Sequence, residues 1–154
     1  MNHAHHAAQP SVTRQALDAT RHCLTGCAIG EIVGLVISGA LGLMTEASII
    51  AGIVLAFVFG YSLTFIPLLQ DGMAPRQAVG LTAAADTISI VVMESVDNLF
   101  VVLVPGAMAA GLGDPLFWGS LVVGLATAFA IAFPVNRWLI ARGRGHAVVH
   151  GAQG

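Results

Sequence analysis

The stretch AADTISIVVMESVDNLFVVLVP, residues 84–105, decides how the rest of the chain is read. It carries Asp86, Glu94 and Asp97, and no Lys, Arg or His. Apart from those acids it has the length and apolarity of a bilayer span, which needs about 20 residues to cross roughly 30 Å of hydrocarbon. A carboxylate in such a segment costs about 2.5–3.5 kcal/mol on an insertion scale. Three in one segment need protein, water or a cation around them, because lipid cannot solvate them. The expectation is a membrane protein that handles protons or cations.

Composition agrees. The chain has 154 residues, 56% of them hydrophobic and 9% charged, against about 25% charged in a typical soluble domain. Mean hydropathy is +0.85. There is no lysine, and the basic residues are all arginine. A net charge of −2 without a basic patch excludes nucleic acid as a partner. The opening MNHAHHAAQPSVTRQALDATRH lacks the apolar core of a signal peptide.

Working outward, the hydrophobic runs predict four transmembrane helices, over about 22–44, 48–69, 78–104 and 116–140. QDGMAPRQ (70–77) and GLGDP (111–115) are the punctuation between later spans. Residues 1–20 read as a flexible His-containing tail, within which 11–22 has the pattern of a short amphipathic lead-in helix capped by Ser11 or Thr13. Residues 21–141 form the membrane domain, and 142–154 a basic tail. Arg14, Arg21, Arg76, Arg137, Arg142 and Arg144 all fall on one side of such a bundle. The positive-inside rule then puts both termini in the cytoplasm. Trp118 and Trp138, near opposite ends of the fourth span, fit interfacial aromatic belts. The fold class is therefore an all-α integral membrane bundle of four helices.

At about 100° per residue, Thr82, Asp86, Ser89, Met93 and Asp97 fall on one stripe of the third span, with Glu94 to one side. Asn98 and Glu94 are placed to share hydrogen bonds with Asp97. In the first span, HCLTGCAIGEIVGLVISG (22–39), Cys23, Cys27 and Glu31 step by four. Gly26, Gly30 and Gly34 also step by four, a spacing that lets another helix approach closely. The expected neighbour is the acidic stripe of the third span. Glu31, Asp86, Glu94, Asp97 and Asn98 would then line a cation or proton path.

The thiols point to a transition metal, because thiolate and thioether ligands favour Cu(I) and zinc. Cys23 and Cys27 at i, i+4 can address one ion from one helix face, with His22 beside them and the thioethers of Met93 and Met108 further along. His3, His5, His6, His146 and His150 lie in the two tails, where they can collect or release metal. Plainer readings stand beside these. Cysteine and methionine are frequent as packed apolar residues, short His tracts indicate metal only weakly, and protonated acids can tie helices together. No nucleophile–base arrangement, P-loop or GxGxxG is present, so catalysis is not expected.

RHCLTGCAIGEIVG (21–34), AADTISIVVMESVDN (84–98), VPGAM (104–108), DPLFWGS (114–120) and FPVNRWLIARGRGHAVVH (133–150) together resemble a family of small bacterial membrane proteins catalogued as a domain of unknown function. The resemblance covers roughly residues 20–150. It implies the four-span architecture in a bacterial inner membrane and no assigned activity. A connection of the family to heavy-metal, especially copper, handling adds less than the ligand argument.

The leading expectation is a transporter or membrane chaperone for copper or zinc, using His22, Cys23, Cys27 and Met93 as ligands. The alternatives are an accessory or assembly subunit of a larger membrane complex and a proton-linked transporter. Four spans enclose little interior, so a homo-oligomer or larger complex in the lipid bilayer is expected.

Overall fold

A computed structural model of the chain describes residues 11–43 and 45–152. His3, His5 and His6 lie outside the described residues, as do the side chains of Met108 and His150. Four long helices dominate: α1 (Val12–Leu41), α2 (Thr45–Gln70), α3 (Pro75–Leu103) and α4 (Pro115–Ala141), followed by a short α5 (Ala147–Ala152). A single 3-10 turn, Ala107–Ala109, lies between α3 and α4. Each long helix has the length and apolarity to cross a membrane, and the chain is a multi-pass membrane protein.

Local chemistry sets the helix ends. The Ser11 hydroxyl accepts from the Arg14 backbone N–H, and Gly42 ends α1 in the left-handed region at φ 63°. Pro75 and Pro115 open α3 and α4, where a missing N–H does no harm. Asp114 caps α4 by accepting from Leu116 N at 2.8 Å. The first helix starts well before the expected boundary at residue 22. VTRQALDATR contains neither Gly nor Pro, and Ala16 and Ala19 are buried with Ile140, against Phe133 and Ala147. Residues 12–20 are therefore the opening turns of α1 rather than part of a tail.

Short connections make sequential helices antiparallel neighbours. Contacts join α1 to α2, α2 to α3, α3 to α4 and α4 back to α1, and α1 also touches α3. The closest approach is between α1 and α2. A Cβ on Gly26 would lie 2.6 Å from the Gly60 Cα, and one on Gly34 2.7 Å from the Gly52 Cα. One on Gly30 would strike the Ala56 backbone. The glycine stripe thus seats on α2, not on the acidic stripe of α3. Gly26 and Gly30 are each one residue ahead of a cysteine or acid, Cys27 and Glu31, about 100° around the helix, so α1 offers its small face to α2 and its polar face to α3.

The bundle is inverted relative to a soluble protein. Asp86, Ser89 and Thr20 are fully buried, while Ile50, Val102 and Val122 are 60–65% exposed. Apolar side chains facing outward and carboxylates facing inward suit hydrocarbon surroundings.

Candidate cation site

The end of the bundle that carries the α2–α3 connection and the C-terminal segment brings three candidate ligands together. His22 comes from α1, Asp86 from α3, and His146 from the turn after α4. That turn depends on glycine. Gly143 and Gly145 have φ of 68° and 60°, a region that residues with a Cβ avoid. The Arg144 N–H bonds back to the Leu139 carbonyl at 2.9 Å. The reversal folds the segment over the bundle end and sets His146 Nε2 at 3.4 Å from Asp86 Oδ1. The His22 and His146 rings meet edge to face, 5.5 Å apart.

One ligand atom from each of His22, Asp86 and His146 lies within 4.8 Å of the others. Among the described residues this is the one group of three that could hold a metal ion. Asp86 is fully buried and the histidines partly so. Two imidazoles and a carboxylate suit zinc and similar borderline ions, and leave a position for a fourth ligand.

The surroundings hold these ligands in place. Thr64 on α2 meets His22 Nε2 at 2.8 Å, the kind of outer contact that fixes an imidazole's tautomer and orientation. The Cys23 thiol donates to Asp86 Oδ1 at 3.9 Å. One turn along α3, the Asn136 amide of α4 donates to Thr20 at 2.9 Å and to Ser89 at 3.0 Å, which ties α1, α3 and α4 together beneath the site.

Glu31, Glu94 and Asp97 gather at the opposite end. A cavity of ≈ 210 Å³ there is lined by Glu31, Glu94, Asp97, Asn98, Ser48 and Ser120, with apolar walls from all four helices. Glu31 faces Asp97, and Asn98 donates to Glu94 Oε2 at 3.3 Å. Cys27 faces Glu94.

The sequence profile of a family described as a domain of unknown function (DUF4396) matches residues 13–145. The chain belongs to this family. No curated protein and no solved structure matches it.

In this DUF4396 protein the ligand candidates read from the sequence separate into three places. His22 and Asp86 join the His–Asp group, with Cys23 against it. Cys27 and Met93 lie in a buried cluster with Ala56, Ile90, Ala128 and Ala132, which Cys23 also joins. Glu31, Glu94, Asp97 and Asn98 line the far cavity. Two participants, Asn136 and Ser120, carry no site reading in the sequence, and a third, His146, carries only the general one of the tail histidines, that they can collect or release metal. His146 stood out only as one of several tail histidines, although the GRGH run that reverses the chain is visible at 143–146. Asn136 and Ser120 were not singled out. A lone Asn beside Pro134 in an otherwise apolar span was a usable signal for the first; nothing marked the second.

Proposed function

We propose that this DUF4396 protein is a membrane carrier or membrane chaperone for a divalent transition-metal ion of the zinc class, and not an enzyme. The observation that carries the reading is the His22–Asp86–His146 group, whose ligand atoms lie within 4.8 Å of one another in a membrane bundle. Its nitrogen and oxygen donors favour zinc over Cu(I). Of the sulfurs that would favour copper, Cys27 and Met93 are packed in the core, and Cys23 touches the group only through Asp86 Oδ1, at 3.9 Å.

All six arginines fall on the side of the bundle where the His–Asp group lies. By the positive-inside rule that group faces the cytoplasm, with both termini, in a bacterial inner membrane. The inward-facing acids of α3 supply a route for cations or for protons moving against them. A four-helix chain encloses little volume, so the working unit is a homo-oligomer or part of a larger complex.

The test is metal content. The protein is purified in detergent under reducing conditions, loaded with Zn(II) or Cu(I), desalted, and its bound metal measured by mass spectrometry. We expect one zinc per chain, lost in His22→Ala and in His146→Ala, and little Cu(I). A folded wild-type protein that retains no metal overturns the reading. Zinc uptake into proteoliposomes then separates a carrier from a chaperone.

A further inference from the structure

The cavity at the far end of the bundle stands apart from the His–Asp group. Asp97 is eleven residues beyond Asp86 on α3, a rise of about 16 Å. The cavity's polar donors are oxygens: the carboxylates of Glu31, Glu94 and Asp97, the hydroxyls of Ser48 and Ser120, and the side chain of Asn98. Asn98 spends its amide nitrogen on Glu94 Oε2 and on the Glu94 carbonyl at 2.8 Å, so the group it offers the cavity is its oxygen. No arginine lines the space.

Several of these groups are deeply buried, and each leaves one oxygen unpartnered. Glu94, Asp97 and Ser120 are only 5–7% exposed. Glu94 Oε1, Asp97 Oδ1, Ser120 Oγ and Glu31 Oε1 have no hydrogen-bond partner. Orphaned buried oxygens of this kind are costly. The bundle also makes room for them: a Cβ on Gly124 of α4 would collide with the Asp97 carboxylate.

We propose that this cavity is a second cation site, taking one hydrated hard divalent ion of the Mg²⁺ class. An all-oxygen donor set selects hard ions over zinc or copper. The spacing selects a hydrated ion. Glu31, Glu94 and Asp97 do not bring three oxygens within 4.8 Å of one another, as the His–Asp group does with its ligands, so they cannot all ligate a bare ion where they stand. Mg²⁺ keeps most of its waters, and its water shell can bridge carboxylates that the ion itself cannot reach. A single water needs about 10–15 Å³ of such space, and ≈ 210 Å³ takes an ion together with its shell. A site that only stored protons would need no such volume.

The experiment uses full-length protein in detergent carrying His22→Ala and His146→Ala, so that the probe reports on the cavity alone. Mn²⁺ binding is followed by electron paramagnetic resonance, with Mg²⁺ and cobalt(III) hexaammine as competitors. The second competitor mimics a hydrated ion and cannot shed its ligands. We expect one Mn²⁺ per chain, displaced by both. Glu94→Gln and Asp97→Asn should each weaken binding at least tenfold, and so should Ser120→Leu, which fills the cavity without removing a charge. Monodisperse elution on size exclusion shows which variants are folded. Absence of Mn²⁺ binding, or binding indifferent to all three folded variants, overturns the site. Binding that Mg²⁺ displaces and the hexaammine does not overturns the hydrated form. None of these outcomes bears on zinc at the His–Asp group, which is read with other variants and another metal.

Discussion

The Cys23 thiol lies 3.9 Å from Oδ1 of Asp86, the same oxygen that His146 approaches at 3.4 Å. Cys23 therefore acts on the His–Asp group through Asp86, by orienting the carboxylate. Groups that orient a ligand from outside typically contribute about 10–100-fold to metal affinity. Cys23→Ala should weaken zinc binding about tenfold by that standard. Cys27→Ala, one turn further from the group, should change it less than twofold. Zinc titration against a competing chelator dye separates the two. Equal losses would mean that the thiols act as a pair.

Zinc affinity should fall as the medium is acidified. Both imidazoles must be neutral to ligate, so protons compete with the metal. Going from pH 7.5 to 5.5 should therefore weaken zinc binding as the imidazoles take up protons. Removing one imidazole with His146→Gln should lower affinity and also flatten the slope of log affinity against pH. A slope unchanged by that substitution would remove His146 from the ligand set.

The membrane fold was legible because its causes are local. Run length and the Pro and Gly breaks put the later three spans within a few residues of α2, α3 and α4. The inward turn of Asp86, Ser89, Met93 and Asp97 followed from helical period alone, and all are buried. The site was less legible because its causes are not local. Cys23 and Cys27 share a helix face, which suggested one ion, yet across the α1–α3 contact they meet acids eight residues apart, Asp86 and Glu94. A helix rises about 1.5 Å per residue, so partners at that spacing cannot converge on one point. His146 is sixty positions from Asp86, and only two glycines at positive φ bring it back.

The α1–α2 seam should be intolerant of a single methyl group at one glycine and indifferent at another. A Cβ at Gly30 would run into the Ala56 backbone, which cannot move aside as a side chain can, whereas one at Gly39 meets nothing within 4 Å. Overpacking of a close contact costs about 1–3 kcal/mol. Gly30→Ala should lower the thermal midpoint of the purified protein in detergent, and Gly39→Ala should leave it unchanged or slightly raised. Comparable behaviour of the two would mean that α1 and α2 are further apart than their backbones indicate.

The C-terminal segment can be removed without touching a span. α4 ends at Ala141, and the segment beyond it supplies His146 and the short α5. Ending the chain after Arg142 should therefore preserve membrane insertion and helical content by circular dichroism, because the four long helices and the Asn136 hydrogen bonds to Thr20 and Ser89 remain. Zinc affinity should fall at least tenfold, to the level of His146→Ala, since both variants lose the same ligand. A truncated protein that binds zinc as the full chain does would show that the contact of His146 with Asp86 is structural, and that the metal is held by other groups. A truncated protein much weaker than His146→Ala would instead assign the remainder of the segment a part in closing the site over the ion.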